Sequence, residues 1–468
     1  MTRLTLFLLA AGLAGCAAGS GPVAAPSLQL PSAWQAPVPD AAPDGAALAD
    51  WWQRFGDPQL PALVADALAA SPTLSAALAR IEQARATRVA AGAALQPSVD
   101  AVGTASQGRA RPGLPVTGNA SLGVQAAWEI DLFGSGAAGR DAAQARLDGA
   151  RAGWHDARTA VAAEVATSYV ALRGCEAQLA QTRIDADSRA ETSRLTGLSA
   201  KAGFIAPADA ALARAGAAQA RTQVVSQRAA CETLLKSLVE LTDVAETTLR
   251  ERLMPGLARV PVPQALAVRV LPAELLAQRP DLAQAARQVA AAAADRRQSQ
   301  ALEKPRVSLS GNLAAAALRS GGETTRGSTW SLGPLSVTFP LFDGGAQAAA
   351  TQAAVAAYDD AVAAYRAQVR RAVREVEVSL VALQATAERE TDAQAAAQDF
   401  EASLRATESR QKGGLASLFD LETARRNAVV AQSALIDLQR ERSAAWISLY
   451  RALGGGFEEA ALARSAAP

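Results

Sequence analysis

The sequence predicts a mainly α-helical protein that carries a smaller amount of β structure and is built from two similar halves. Three observations predict this fold class: motifs that recur about 210 residues apart, proline-free helical stretches of roughly 65 residues, and four short segments in which apolar and polar residues alternate. A repeat of this length indicates a duplicated domain-sized unit rather than a solenoid of small units.

The two halves carry the same short motifs in the same order. Residues 51–264 form the predicted first half and residues 265–456 the second, followed by a tail at 457–468. The matched motifs are Pro72-Thr73-Leu74 with Pro280-Asp281-Leu282, Leu132-Phe133 with Leu341-Phe342, Glu164-Val165 with Glu375-Val376, Gly203 with Gly414, and Ala213-Arg214 with Ala424-Arg425.

The composition argues against several classes of function. A net charge of +1 gives no electrostatic basis for binding nucleic acid. The single histidine, His155, and the two methionines leave few soft ligands, so we expect no metal site. The sequence supports no Ser-His-Asp, Cys-His or paired-carboxylate arrangement, so we also expect no enzyme activity and no catalytic cofactor.

One motif imitates a nucleotide-binding loop. Gly134–Gly139 matches GxGxxG, follows a predicted strand and opens a helix. The helix that follows is far too long for a βαβ crossover, and the equivalent turn of the second half, Asp343–Ala346, lacks the glycine spacing. We therefore expect these glycines to let a strand bend sharply into a helix.

The N-terminus resembles the export signal of a bacterial lipoprotein. Arg3 precedes a short apolar run, and Leu13-Ala14-Gly15-Cys16 resembles a lipobox. This resemblance implies that residues 1–15 are removed and that Cys16 carries diacylglycerol and an N-acyl chain. The alternative is an ordinary signal peptide with an incidental cysteine. The Pro-, Ala- and Gly-rich residues 16–50 are predicted to form an extended tether.

The first half begins with Trp51-Trp52, an aromatic cluster ahead of a helical pattern. Ser71-Pro72 places a capping residue before a proline at the first helical position, and Pro97 stops that helix. A strand is predicted at 98–108 and a second at 119–132. The apolar residues that share one face of the second strand are Leu122, Val124, Ala126, Trp128, Ile130 and Leu132.

The second half repeats the strand pair at 306–318 and 328–341, and Pro334 predicts a β-bulge in the last strand. The clearest of these strands have one apolar and one polar face. Four such strands suit a membrane β-barrel with lipid outside and water inside. A small soluble sheet with one wet face would explain the same alternation, so the pattern alone leaves both interpretations open.

Each half then continues into a long helical hairpin, at 136–241 and at 346–453. Roughly 65 residues of helix span about 100 Å, and turns at Gly203 and at Gly413-Gly414 reverse the chain. Helices of this length need lateral partners, and their many alanines allow closely spaced axes. The hairpins are therefore predicted to form a coiled-coil-like tube or stalk.

Two cysteines lie at matching heights on the first hairpin. Cys175 and Cys231 each lie about 28 residues from Gly203, so an antiparallel hairpin that turns there brings them level. In an oxidising compartment this arrangement predicts an intramolecular disulfide. Two buried free thiols are the alternative.

Taken in order, these features resemble the TolC/OprM class of outer-membrane efflux factors, in its NodT-type lipoprotein branch. The resemblance covers nearly the whole mature chain. It is carried by Trp51-Trp52 with Phe55 and Asp57-Pro58, the Leu-Phe-glycine turns at 132–136 and 341–345, the tip glycines Gly203 and Gly414, and Leu453-Gly454-Gly455-Gly456. Each motif is weak by itself, whereas their order and duplication together are specific.

The resemblance implies a homotrimer in the bacterial outer membrane, in which four strands per protomer complete a twelve-stranded β-barrel and the long hairpins form a periplasmic α-barrel. It implies the passive channel of a tripartite efflux system. Such a channel receives drugs or other small molecules from an inner-membrane pump, here expected to be a proton-driven RND pump, through a periplasmic membrane-fusion adaptor. A duct for type I protein secretion and a lipid-anchored periplasmic coiled-coil scaffold are the alternatives.

The same resemblance assigns roles to the hairpin tips at 201–209 and 411–420. The residues implied to contact the adaptor are Lys201, Gly203, Phe204, Lys412, Gly413, Gly414 and Leu415. The residues implied to form the closed aperture are Asp209, Gln411 and Asp420. The sequence departs from TolC here, because Gln411 and Ala416 replace its gate tyrosine and arginine and Thr423 replaces an acidic residue. We expect the aperture to close through other contacts and to favour cations.

Overall fold

A computed structural model describes residues 33–37, 51–263 and 279–457 of the chain. The predicted signal peptide at 1–15, the predicted lipid-bearing Cys16 and all but the first residue of the tail at 457–468 lie outside these described residues. Contacts divide the chain into two compact units.

Both halves contain a helix, two strands and two long helices in the same order, and in the first half one further described helix precedes this series and one follows it. A single 3₁₀ turn, Trp51–Phe55, precedes them. The elements are α1 (Gln59–Ala70), α2 (Pro72–Ala93), β1 (Ser98–Gly108), β2 (Thr117–Ile130), α3 (Ser135–Lys201), α4 (Pro207–Thr242), α5 (Glu246–Leu253), α6 (Pro280–Leu302), β3 (Arg306–Ser320), β4 (Glu323–Thr338), α7 (Ala346–Lys412) and α8 (Leu418–Ala452). This order confirms the predicted duplicated, mainly helical fold.

The long helices pair as two hairpins, α3 with α4 and α7 with α8. Both α3 and α7 contain 67 residues. Among the described helices, none is by itself long and apolar enough to cross a membrane, and α1 with α2 reaches that length and composition only as a pair bent by 46°.

The first unit, residues 88–145 and 286–363, is organised around one antiparallel sheet. The strand order is β1-β2-β3-β4, so the two halves of the sequence meet directly between β2 and β3. A two-residue turn, Gly321-Gly322, joins β3 to β4, and both glycines have positive φ angles. Such a turn matches the twist of the strands that it joins.

A β-bulge interrupts the ladder between β3 and β4. Leu309 pairs with Leu335 whereas Gly311 pairs with Leu332, so one extra residue is accommodated on β4 around Pro334. Proline has no N–H to donate to the ladder. The bulge predicted at Pro334 is therefore confirmed.

The range 119–132 predicted for β2 is wrong by two residues at each end. The strand ends at Ile130 because the next residue, Asp131, caps helix α3. Its carboxylate accepts hydrogen bonds from the backbone N–H groups of Gly136 (3.1 Å) and Ala137 (2.7 Å). These bonds satisfy donors that the first turn of a helix leaves unpaired.

The range 328–341 predicted for β4 is also displaced, since the strand occupies Glu323–Thr338. Residues 323–328 pair with β3 although they show no apolar alternation, so the hydrophobic pattern did not reveal them. The strand stops before Pro340, which lacks the N–H needed to extend a ladder. Likewise β3 runs to Ser320, two residues beyond its predicted end.

The second unit lies within residues 30–87, 146–285 and 364–468. In this unit, residues near the start of the described chain pack against residues near its end. Trp51 lies edge-on to Trp446 with ring centroids 5.9 Å apart, and Trp52 lies 4.6 Å from Tyr450. The aromatic cluster therefore packs on α8. Fully buried leucines complete this core: Leu60, Leu63, Leu238, Leu249, Leu282, Leu380 and Leu449.

Two arginines of this unit are almost fully buried, and Arg173 is completely so. Its guanidinium donates hydrogen bonds to the Tyr169 hydroxyl, the Glu176 carboxylate and the carbonyls of Leu253 and Pro255, all at 2.9 Å. A charge removed from water is tolerated only when its donors are paired in this way. Arg173 thereby ties α3 to α5 and the turn that follows it.

Arg279 plays the corresponding part at the start of α6. It donates to both carboxylate oxygens of Asp281 (2.9 and 2.6 Å), to Glu375 (2.8 Å) and to the Ala452 carbonyl (2.8 Å). Burial by itself would raise the pKa of Asp281, but the hydrogen bonds and charge of Arg279 outweigh it and hold that pKa below its ordinary value. The network joins α6, α7 and α8.

Candidate functional site

The sheet separates apolar from polar side chains. Residues paired across an antiparallel ladder project to the same face, so the register aligns Val124, Leu313 and Trp330 on one face. Large apolar side chains on this face are Val99, Leu122, Val124, Trp128, Ile130, Val307, Leu309, Leu313, Trp330, Leu332, Leu335 and Val337. Most of them are exposed within the chain, including Leu332 at 81%.

The opposite face of the sheet is mostly polar, with Val102 and Leu318 as its large apolar residues. Its side chains bond to one another across the strands, with Thr104 and Ser121 oxygens 2.7 Å apart and the Ser331 hydroxyl 3.1 Å from the Asn312 side-chain oxygen. Other members of this face are Asp100, Ser106, Asn119, Gln125, Glu129, Ser308, Thr325, Thr329 and Ser336. A sheet with one apolar and one hydrated face suits lipid on one side and water on the other.

The two lateral edges of the sheet are open. β1 and β4 are the outermost strands, so each has one edge without a partner strand in the described part of the chain. Unpaired strand edges expose rows of N–H and C=O groups that readily pair with another chain.

The first hairpin tip turns through a Schellman motif. Gly203 adopts a φ of +78°, which places the N–H of Phe204 2.9 Å from the Ser199 carbonyl. This left-handed position favours glycine. The turn leaves the Phe204 side chain 82% exposed at the tip.

The second tip repeats the same turn with different side chains. Gly414 has a φ of +74°, and the N–H of Leu415 donates to the Arg410 carbonyl at 2.7 Å. Leu415 is 74% exposed, and Gly413 before it is also exposed. Each tip therefore presents one large apolar side chain, at the same position of the same backbone motif.

The helix after the second tip begins with a capping box. The Ser417 hydroxyl accepts from the N–H of Asp420 (3.1 Å), and the Asp420 carboxylate accepts from the Ser417 N–H (2.9 Å). The Ser417 hydroxyl also donates to that carboxylate at 2.7 Å. These hydrogen bonds lower the pKa of Asp420 below its ordinary value.

The other residues assigned to the tips are placed as follows. Asp209 is exposed in the first turn of α4. Gln411 is half-buried, and its carbonyl accepts from the Gly414 N–H at 3.0 Å. Lys201 and Lys412 are exposed final residues of their helices, where a positive charge interacts favourably with the helix dipole.

Sequence reasoning missed two exposed apolar residues near the tips, Leu212 (75% exposed) and Phe419 (74%). Like Phe204 and Leu415, they expose a large apolar side chain near a hairpin tip. The sequence feature that could have identified them is an apolar residue within about two helical turns of a tip glycine, because the hairpin has few neighbours there to bury such a side chain.

The two hairpins contact each other near their tips. The Thr192 hydroxyl of α3 donates to Glu422 of α8 at 2.6 Å. Arg425 lies 3.3 Å from Glu422 and 3.4 Å from Glu408 on α7. The tip residues are therefore carried by adjacent hairpins of one chain.

The structure joins Cys175 and Cys231 across the first hairpin. Their sulfur atoms are 2.07 Å apart and their Cα atoms 5.5 Å apart, within the range that a disulfide requires. Both side chains are buried. The bond links α3 to α4 far from the tip turn.

The glycine-rich loop makes a tight connection between a strand and a helix. Gly134 has a φ of +77° where the chain leaves β2, and a Cβ on Gly136 would lie 2.6 Å from a methyl group of Leu95. The following helix is 67 residues long. Within residues 33–37, 51–263 and 279–457, no group of three or more His, Cys, Asp or Glu side chains could hold a metal ion.

Comparison with known proteins adds the family. The family described as outer membrane efflux protein matches residues 63–243 and 271–455, one segment in each half. The pyoverdine export outer membrane protein OpmQ of Pseudomonas aeruginosa is 30% identical, over 98% of both chains. The outer membrane protein OprJ of the same species is 31% identical over 93% of both chains. Nodulation protein T of Rhizobium leguminosarum bv. trifolii is 27% identical over 99% of both.

Solved structures agree with these sequence relatives. The outer-membrane channel OprN superposes with a TM-score of 0.80 at 28% identity, covering 92% of this chain and 99% of that one. The outer membrane protein VceC of Vibrio cholerae gives 0.76 at 26% identity, covering 88% and 99%. The matched segments in both halves, the relatives of similar full length and the shared fold together show that this chain belongs to the outer membrane efflux protein family.

Proposed function

We propose that the chain is the outer-membrane channel of a tripartite efflux system and acts as a passive homotrimeric conduit. The observation that carries this proposal is the sheet, which has an apolar face, a polar face and two open edges. Hydrocarbon tolerates no unpaired backbone edge. If β4 of one copy pairs with β1 of the next, three copies close a twelve-stranded barrel with lipid outside and water inside.

Electrophoretic mobility and ion conductance test this proposal on the purified full-length protein. We expect a trimer that changes mobility when the detergent sample is heated, and discrete single-channel currents in a planar bilayer. A periplasmic coiled-coil scaffold would show neither property. Loss of both in correctly folded protein would overturn the channel assignment.

The hairpin tips are proposed to meet the periplasmic adaptor and to form the aperture. The exposed side chains of Phe204 and Leu415 support the first role, because apolar side chains at helix ends invite a partner. Adaptor contact is proposed for Lys201, Gly203, Phe204, Lys412, Gly413, Gly414 and Leu415, and the aperture for Asp209, Gln411 and Asp420.

Lipid attachment at Cys16 is proposed from the lipobox-like sequence Leu13-Ala14-Gly15-Cys16. The covalent lipid would anchor the chain to the outer membrane beside its barrel. Metabolic labelling with a palmitate analogue tests this assignment. We expect labelled wild-type protein and unlabelled Cys16→Ala; equal labelling of both would contradict it.

The cargo is proposed to be small molecules delivered by an inner-membrane pump, with a proton-driven RND pump as the expected type. Support comes from the relatives, which include a pyoverdine export protein and an antibiotic efflux pump outer membrane protein, ArpC of Pseudomonas putida. Deletion of the gene should raise susceptibility to small toxic compounds. If deletion instead abolished release of a secreted protein and left susceptibility unchanged, the type I secretion duct would be the better assignment.

A further inference from the structure

Glu377, on helix α7, binds a segment from the other end of the sequence. One of its carboxylate oxygens accepts the backbone N–H of Gln35 at 2.8 Å, and the other accepts the N–H of Ala36 at 2.9 Å. Ala36 is buried, at 8% exposure. The two contacts link residues more than 340 positions apart in the chain.

The geometry of this contact favours an anionic group as the acceptor. Both bonds are charge-assisted, and such bonds are about twice as strong as those between neutral groups. The chain bends at Gln35 and Ala36, and two successive amides point at one carboxylate. Consecutive N–H groups in a bend form a concave anion-binding site. Here the anion is a side chain of the same protein.

Comparison of the two halves shows that Glu377 has no acidic counterpart in the first half. Glu375-Val376 matches Glu164-Val165, so Glu377 corresponds to Ala166. Ala166 is completely buried. In the first half the side chain at this helix position is buried. In the second half the same position carries a carboxylate that accepts hydrogen bonds from the N-terminal segment.

We propose that Glu377 is a docking site for the N-terminal segment around Gln35 and Ala36, which fixes that segment to the second long hairpin. The consequence for the lipid anchor rests on the proposed lipidation of Cys16. Docking shortens the stretch between the lipid and the first fixed point of the chain. Fully extended, Cys16 to Trp51 could reach about 120 Å, whereas Cys16 to Gln35 reaches at most about 65 Å.

Hydrogen exchange measured by mass spectrometry on the purified full-length trimer tests this proposal directly. In Glu377→Ala, the amides of Gln35 and Ala36 should exchange at least about tenfold faster than in the wild type. Glu377→Gln keeps one acceptor oxygen and should give an intermediate rate. Glu388→Ala is the matched control, because Glu388 is an exposed carboxylate on the same helix that bonds Gln384.

Cleavage by chymotrypsin after Trp34 gives a second readout on the same variants. We expect faster cleavage in Glu377→Ala and wild-type rates in Glu388→Ala, with trimer mobility and conductance unchanged in both. Wild-type exchange and cleavage in a folded Glu377→Ala trimer would overturn the docking site. If the wild-type trimer showed no conductance while Gln35 and Ala36 were protected in it and lost protection in Glu377→Ala, the result would count against the channel and leave the docking site supported.

Discussion

Single side chains decide how the second unit is held together, and Arg279 is the clearest example. It is 4% exposed, although arginine is rarely buried unless its charge is paired. Its partners come from three places: Asp281 beside it, Glu375 on α7 and the Ala452 carbonyl at the end of α8. Because these groups are distant in sequence, no local pattern pointed to the network.

The first prediction concerns Asp281→Asn. At neutral pH it should destabilise the protein by about 3 kcal/mol, because it removes one of the two charged partners of a buried guanidinium. The pKa of Asp281 lies below its ordinary value of about 3.9, so its stabilising contribution is present above that value and lost as the pH falls through the lower folded-state pKa. The difference from wild type should therefore shrink in acid.

Urea unfolding followed by circular dichroism at pH 7 and at pH 3 measures this difference. Asp437→Asn is the control, because Asp437 forms only an exposed pair with Arg440 at 3.6 Å and should change stability by less than about 1 kcal/mol. An equal loss at both pH values would mean that the charge of Asp281 is not responsible.

The second prediction concerns Asp420 at the tip. Its pKa is lowered by hydrogen bonds from Ser417, so its negative charge persists to lower pH than that of an ordinary aspartate. If Asp420 lines the aperture, Asp420→Asn should weaken the cation preference of single channels in an asymmetric salt gradient. Asp392→Asn, about 30 Å further along α7, is the control for charge loss away from the tip.

The capping role of Asp420 must be separated from its charge. Ser417→Ala removes the hydroxyl of the capping box but keeps the carboxylate. It should cost about 1 kcal/mol of stability and leave ion selectivity unchanged. A reversal potential that shifts in Ser417→Ala but not in Asp420→Asn would assign the effect to tip geometry.

At the scale of the elements, the first hairpin differs from the second by its cross-link. The Cys175–Cys231 bond encloses a loop of 56 residues, and closing a loop of this size restricts the unfolded chain. The third prediction is that reductant lowers the unfolding free energy by about 2–4 kcal/mol. Thermal melts with and without reductant measure it.

The matched control for the cross-link is the double variant Cys175→Ala/Cys231→Ala. It should melt at the temperature of the reduced wild type and be insensitive to reductant. Alkylation of both thiols in unreduced protein from the periplasmic side, detected by mass spectrometry, would show that the bond does not form.

The fourth prediction concerns the ladder between β2 and β3, where the two halves meet. A Cβ on Gly123 would lie 2.2 Å from the Leu313 carbonyl oxygen and 2.5 Å from Ala314, so Gly123→Ala forces the backbones apart. Gly327 in β4 has nothing within 4 Å of its Cβ position and supplies the control. Gly123→Ala should lower the yield of heat-modifiable trimer, whereas Gly327→Ala should not.

Some features of these elements could be read from the sequence, and others could not. Apolar alternation identified the central part of β2, and the glycines Gly203 and Gly413-Gly414 between long helical stretches identified both tips, because each signal is local. The first residues of β4 were missed, because Glu323 and its neighbours pair with β3 through backbone groups and carry no hydrophobic pattern. Asp131 was assigned to β2 since its capping bonds depend on the turn that follows.

The candidate site was predictable to a similar extent. Position along the hairpin was enough to place Phe204 and Leu415 at exposed tips. The contact between Glu377 and Gln35 was out of reach, because it depends on how a distant segment of the chain returns to α7. Local patterns therefore locate the site, whereas tertiary contacts determine what its individual side chains do.

At the scale of the whole molecule, the two halves share a framework and differ in single residues. Both give a strand pair and a long hairpin with the same tip turn. Only the first hairpin has the disulfide, whereas Ser417 and Glu377 occur only in the second; the corresponding positions of the first half are Ala206 and Ala166. In the proposed trimer the six hairpins would therefore form two classes of three, so we expect the classes to contribute differently to gating.

The fifth prediction tests the arrangement of lipid and water around the assembled barrel. Leu313 and Asn312 are adjacent near the middle of β3 but project to opposite faces of the sheet. Leu313→Arg would place a charge against hydrocarbon in each of three copies, at about 2–4 kcal/mol per copy near the bilayer midplane. Asn312→Arg would place the same charge in the water-filled interior.

We therefore expect Leu313→Arg to abolish insertion of the trimer into the outer membrane, measured by membrane fractionation and heat-modifiable mobility. Asn312→Arg should insert normally, and its single-channel conductance should fall or shift in ion preference, because three cations would narrow the pore and repel cations. If Asn312→Arg blocked insertion while Leu313→Arg altered conductance, the two faces would be reversed. If neither variant affected insertion or conductance, the sheet would not form the wall of a membrane channel, and the proposed trimeric barrel would be wrong.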